Sequence, residues 1–184
     1  MKSDGVLNGG RSVALGAVSG MAGGLAGSWL MNLFIEGVSK AKKKSQDSQV
    51  TIEASTSAEE QQSQQDSDDA TQKVADAIVS RVRGSHLSKE EKKKGGSIVH
   101  YAFGGLMGAL YGAIAEHSAA PRTGMGTFFG TALFVGADEI AIPVLGLGES
   151  PTQVPISDQA TYLAAHLVYG ATTELVRRGF RRLI

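Results

Sequence analysis

Ser12 to Ile35 is a run of 24 residues without a single charge. As a helix it would extend about 36 Å at 1.5 Å per residue, enough for a bilayer core of about 30 Å. Two further apolar runs follow, Gly95 to Ala115 and Gly124 to about Gly148. A fourth, Gln159 to Val176, is weaker because it contains His166 and Glu174. In hydrocarbon every backbone N–H and C=O needs an internal partner, which helices provide. The pattern therefore predicts an all-α, integral membrane helical bundle of three to four segments. The competing reading of the first run is a cleaved signal peptide with Lys2 and Arg11 as its basic region. The run is too long for a typical signal core and continues into a lysine cluster, so an uncleaved span is expected.

Composition supports this division. The chain has 184 residues, with 18 basic and 18 acidic residues and no net charge, a balance that argues against nucleic acid as a partner. Most of the charge sits in residues 36–94 and at the C-terminal end. Cysteine is absent, which excludes disulfides and Cys-based metal sites. The expected organisation is a tail at 1–11 and a first transmembrane helix at 12–36. A disordered polar insert at 37–70 and an amphipathic, charged region at 71–94 come next. The second helix covers 95–116, the third segment 124–148 and the fourth helix 159–178, before a basic tail at 179–184. The Ser/Gln/Asp/Glu-rich insert offers too little apolar surface to offset its chain entropy. In the next region Val74, Ile78 and Val82 recur at spacing four. That fits a short helix lying on a membrane surface or on the rest of the protein. Ser88 is placed to cap the charged turn that leads into the second helix.

Basic residues tend to remain on the cytoplasmic side. Four lysines follow the first run and three precede the second, so the insert 37–95 is expected in the cytoplasm and the start of the chain outside. The arginines at 177, 178, 181 and 182 argue for a cytoplasmic C-terminal end as well. Three crossings satisfy both expectations and four do not. The third segment is then expected to be re-entrant or broken. It holds Asp138 and Glu139, its only charged residues, with Pro143 four residues beyond Glu139. A bundle of four full crossings with an arginine-rich outer tail is the alternative.

Adjacent carboxylates in such a run are costly, about 2.5–3.5 kcal/mol each at the centre of a membrane helix on insertion scales. His100 and His166 lie a turn or two inside their own segments, and histidine exchanges protons near neutral pH. Together with Glu116 and Glu174 these residues form a candidate intramembrane polar cluster: Asp138, Glu139, His100, His166, Glu116 and Glu174. It is either a proton or solute path or a hydrogen-bond set that fixes helix packing. Glu174 also precedes Arg177 and Arg178 at ordinary helix ion-pair spacing. A second pattern is glycine at spacing four: Gly16, Gly20 and Gly24; Gly104, Gly108 and Gly112; and Gly126 and Gly130. Each series lines one helix face and lets neighbouring backbones approach closely. Tyr111-Gly112-Ala113 with Glu116 matches Tyr169-Gly170-Ala171 with Glu174. If segments two and four ran oppositely, these would be inverted elements.

His100-Tyr101-Ala102-Phe103-Gly104, Tyr111-Gly112 with Glu116, Asp138-Glu139 with Pro143, and His166 with Tyr169-Gly170, Glu174 and Arg177-Arg178 together resemble the YagU-like family. The resemblance implies a bacterial inner-membrane protein with a domain of unknown function, and it carries no catalytic residues. No nucleophile motif, zinc-protease signature or phosphate loop occurs, and an enzyme is not expected. No catalytic, cofactor or metal residues are expected, and no cofactor. The expected partners are the lipid bilayer and further copies of the chain. Proton or small-solute handling is the leading functional expectation. The alternative is a structural or partner-binding membrane protein.

Overall fold

A computed structural model describes residues 3–47 and 69–183, with side chains described for 12–45 and 69–183. The disorder expected for most of the polar insert falls on residues 48–68, outside the described residues. Among the described residues every regular element is helical. They are α1 (Ser3–Asp47), α2 (Ala70–Arg83), α3 (Lys89–Ala115), α4 (Thr127–Leu133), α5 (Ile142–Val144) and α6 (Ile156–Leu183). A π-helical stretch, Phe134–Ala141, joins α4 to α5. The spans Ser12–Ser45, Lys89–Ala115 and Ala120–Val144 are long and apolar enough to cross a membrane, which fits a multi-pass membrane protein. α1 continues through residues 37–47, past the boundary expected at 36, because the lysine-rich turns that follow contain no glycine or proline after Gly37 to stop it.

Glycine decides how the helices pair. α1 and α3 run antiparallel, with Gly16, Gly20 and Gly24 against Gly112, Gly108 and Gly104. A β-carbon at Gly20 would collide with the Gly108 carbonyl, and one at Gly112 with the Gly16 carbonyl. A second face of α1 carries Gly23 and Gly27, which meet Thr173 and Tyr169 of α6. α1 is thus antiparallel to both α3 and α6, and those two run in the same direction. Gly126 and Gly130 meet Gly170 and the His166 carbonyl, so the third segment packs antiparallel to α6.

Four helical passes therefore run the length of the bundle. The third segment is broken by its wide π-helical turn but does not turn back. The start of α1 and the end of α6 share one end of the bundle with the 116–126 connection. The opposite end holds the end of α1, α2 and the loop between α5 and α6. The C-terminal arginines thus lie at the end opposite residues 40–47 and α2, contrary to the expectation of a shared side. Counting arginines as free topological charges fails because Arg177 and Arg181 are bound by carboxylates of the bundle.

Large apolar side chains point outward, among them Val18 and Trp29 on α1, Leu106 and Leu110 on α3, and Phe128 and Val135 beyond them. In water this would be an unusually large apolar surface. In hydrocarbon it is the expected exterior, with small and polar residues inside. Ser19 and Ser28 are fully buried on α1, and Met31, Ala165 and Tyr169 form the small apolar core.

α2 and α3 meet at a capped elbow. Asp69 caps α2 and Gly84 ends it in a left-handed turn. Ser88 caps α3 through a reciprocal pair with Glu91. Asp76 accepts from the Leu87 N–H at 2.7 Å and pairs with His86 at 2.9 Å, tying the turn back onto α2.

Candidate functional site

Two polar centres lie between the helices, one buried toward the arginine end and one partly exposed toward the other end. The six residues expected to form a single cluster divide between them. Glu116 and Glu174 belong to the arginine end. Asp138, His166 and His100 belong to the insert end, with Glu139 beside Asp138.

At the arginine end Glu174 is fully buried. Its carboxylate accepts from Tyr111 Oη at 2.7 Å, from Arg177 Nε at 2.7 Å and from Arg178 Nε at 2.6 Å. A further bond comes from Arg177 NH2 at 3.1 Å. Arg177, itself buried, also reaches Glu116 Oε1 at 3.3 Å through NH1. Glu116 Oε2 accepts from Ser12 Oγ at 2.6 Å and from Arg181 NH2 at 2.8 Å. One network thereby joins α1, α3 and α6. Two carboxylates meet three guanidinium groups, and both oxygens of each carboxylate are bonded. The Glu116 side chain is nine-tenths buried here. The contacts of Glu174 extend across helices, well beyond the local ion pair that its spacing suggested.

The matched tyrosine stretches find their meaning here. Since α3 and α6 run the same way, the repeats are parallel elements, not inverted ones. Tyr111 and Tyr169 are both buried in the bundle. Tyr111 donates to Glu174 and Tyr169 to the Gly104 carbonyl at 2.6 Å. Phe129 lies between them, with ring centroids 4.8 Å from Tyr111 and 6.4 Å from Tyr169.

The insert-end centre is built differently. A π-helical turn makes i→i+5 bonds and occurs mostly as single turns at functional positions. Here the bond is Ile142 N–H to the Ala137 carbonyl. Pro143 follows at once and supplies no N–H. The turn carries Asp138, whose Oδ2 lies 3.7 Å from His166 Nδ1 on α6. His166 is buried, packs against Phe134 and contacts the Tyr162 carbonyl at 2.9 Å through the same nitrogen. A carbonyl only accepts, so that Nδ1 carries a proton, which leaves Nε2 as the acceptor of a neutral ring. Asp138 also interacts electrostatically with Glu139 and with His100 of α3. His100 Nε2 is buried without a hydrogen-bond partner among the described residues, and the ring rests edge-on against Tyr101. Three segments thus contribute titratable side chains to this centre. It lies near the insert end rather than at mid-depth. His100 is five residues inside the apolar run that starts at Gly95, about 8 Å along the helix.

Among the described residues no group of three or more His, Cys, Asp or Glu side chains is placed to hold a metal ion. The glycines expected at helix contacts all lie at them, as described above. Sequence reasoning missed Gly23 and Gly27, Tyr111 as a partner of Glu174, Ser12, and the two arginines that bind Glu116. The first pair was findable, since Ser19, Gly23 and Gly27 form a second small-residue series at spacing four. The partnerships of Glu116 were not, because they join residues far apart in the chain.

The fold and the two polar centres define a helical membrane bundle whose polar groups meet between helices. Residues 77–175, more than half of the chain, match the sequence model of the family described as protein of unknown function (DUF1440). The chain belongs to that family. No curated protein and no solved structure matches it.

Proposed function

We propose that this protein handles protons, or a small solute coupled to them, in a bacterial inner membrane. The observation that carries this reading is the Asp138–His166 contact on the π-helical turn. A carboxylate and an imidazole face each other at 3.7 Å, and few hydrogen bonds hold either one in a single charge state. The pair can keep one proton on either partner. When it passes from doubly protonated His166 through Nδ1 to Asp138, a cation and an anion become two neutral groups, and the ring is left protonated on Nε2 without its bond to the Tyr162 carbonyl. π-helical turns are frequent at functional sites, and ionisable residues inside membrane segments mark ion or proton pathways.

The bacterial inner membrane rests on the resemblance to YagU-like proteins. A cytoplasmic insert rests on the lysine clusters that follow the apolar part of α1 and begin α3. The start of α1 and the end of α6 then lie outside. No chemistry beyond proton exchange is asked of the chain in this reading, and it is not an enzyme.

The test is the double replacement Asp138→Asn with Glu139→Gln, reconstituted in liposomes that enclose a pH-sensitive dye. A pH-dependent flux in the parent protein should vanish in the variant while the amount of folded protein is unchanged. Equal flux in both would refute the proposal. The second reading is a structural or partner-binding membrane protein, favoured by the fully bonded Glu116–Glu174 network. It expects no flux in the parent, and a fall in abundance or a changed oligomeric state in the variant.

A further inference from the structure

α2 sits on the bundle by only part of its surface. Ala75 packs against Gly95, and Gln72 and Thr71 against Gly96. Lys73 reaches the Leu147 carbonyl at 2.9 Å, so α2 also touches the loop that follows α5. These contacts fix its level, because Gly95 and Gly96 open the charge-free run of α3. The helix therefore lies at the boundary where the apolar part of the bundle begins.

Its apolar stripe is left uncovered. Ile78 is 56 % exposed and Val82 81 % exposed, and Ile98 on the neighbouring turn of α3 is 70 % exposed. Ile78 and Val82 lie on the turns of α2 beyond Thr71, Gln72 and Ala75, the residues that meet α3. Arg81 and Arg83 flank it and are exposed, as are Lys93 and Lys94 on the first turns of α3. An exposed apolar stripe, bordered by cations, at the depth where hydrocarbon gives way to headgroups matches one occupant.

We propose that α2 is an interfacial anchor for anionic phospholipid. Ile78 and Val82 enter the boundary between headgroups and acyl chains, and Arg81, Arg83, Lys93 and Lys94 contact the lipid phosphates. The basic face makes binding selective for acidic lipid, and the capped elbow at residues 84–88 sets the angle at which α2 lies. This inference stands apart from the role proposed for Asp138.

The chain has no cysteine, so single labels can be placed without further change. The experiment uses the full chain with Val82→Cys carrying a nitroxide, in nanodiscs of phosphatidylcholine alone or with one third phosphatidylglycerol. A label at Ser85→Cys, in the exposed turn, gives the aqueous reference. In the acidic bilayer the ratio of oxygen to nickel-chelate accessibility at 82 should exceed that at 85. It should fall toward the reference in pure phosphatidylcholine and in the R81E/R83E variant. A ratio at 82 equal to that at 85 in acidic bilayers overturns the anchor. A ratio insensitive to both lipid charge and arginine reversal overturns the selectivity. Spin–spin broadening that disappears on dilution with unlabelled protein would show that a second copy covers the stripe, and would overturn the lipid assignment.

Discussion

The two ends of the bundle gather the same kinds of titratable side chain and treat them in opposite ways: Glu174 is fully buried, whereas the Asp138 side chain is 30 % exposed. At the arginine end, Glu116 and Glu174 have both oxygens bonded, and the partners come from three helices. At the insert end, Asp138 meets one histidine at a distance longer than a good hydrogen bond, and His100 Nε2 has no partner among the described residues. A saturated network holds each group in a single charge state, and removing any member leaves the others with uncompensated charge. A sparse one leaves its protons free to move. The carboxylates of this chain therefore stand in two different environments, one saturated with hydrogen bonds and one sparsely bonded.

The comparison breaks most visibly at Glu174. Glu174→Gln keeps the shape but leaves buried Arg177 with only its longer contact to Glu116, which should cost about 3 kcal/mol. Thermal unfolding of the purified protein in detergent would measure the loss. A drop under about 1 kcal/mol, the scale of an exposed ion pair, would mean the network is solvated.

Asp138→Asn should behave differently. With one long contact to lose, and a charge removed from an apolar segment, stability should change by less than about 1 kcal/mol in the same measurement. The pH-dependent flux should nevertheless be lost. A large destabilisation would move Asp138 into the structural class with Glu174 and weaken the contrast between the ends.

The smallest effect concerns the elbow between α2 and α3. The Leu87 N–H, and then His86, hold the Asp76 carboxyl below its ordinary value of 3.8. A depressed carboxylate contributes stability that is present above the ordinary value and lost as pH falls through the lower folded value. The elbow should thus be intact near neutral pH and loosen only below about pH 4, where protonation weakens both bonds. Hydrogen exchange of the α2 amides at pH 3 and pH 6, corrected for intrinsic rates, would show it. Asp76→Asn should remove most of that difference and leave the two polar centres unchanged.

Much of this architecture is legible in the chain. Runs without charge mark the apolar spans, since a charge in hydrocarbon is too costly to place by accident. Glycines at spacing four mark the contact faces of α1 and α3, because they recur with the helix period. Ser88 with Glu91 marks the start of α3, since both halves of the capping pair are local. The Asp138–Glu139 pair near Pro143 marks an interruption in the third segment. It does not reveal that the interruption is a wide turn that keeps its direction.

The rest depended on which helices touch. Arg177 and Arg181 look like topological charges until α6 is laid beside α1 and the end of α3, where Glu116 and Ser12 receive them. The tyrosine repeat suggests related elements, but only the packing of both α3 and α6 on α1 makes them parallel. What the sequence by itself determined was the set of helices, their apolar faces and the residues too costly to bury without a role. The tertiary structure decided which of those residues became neighbours, because ion pairs and proton contacts depend on distances of a few ångströms. In this bundle those distances follow from where glycine lets one backbone approach another.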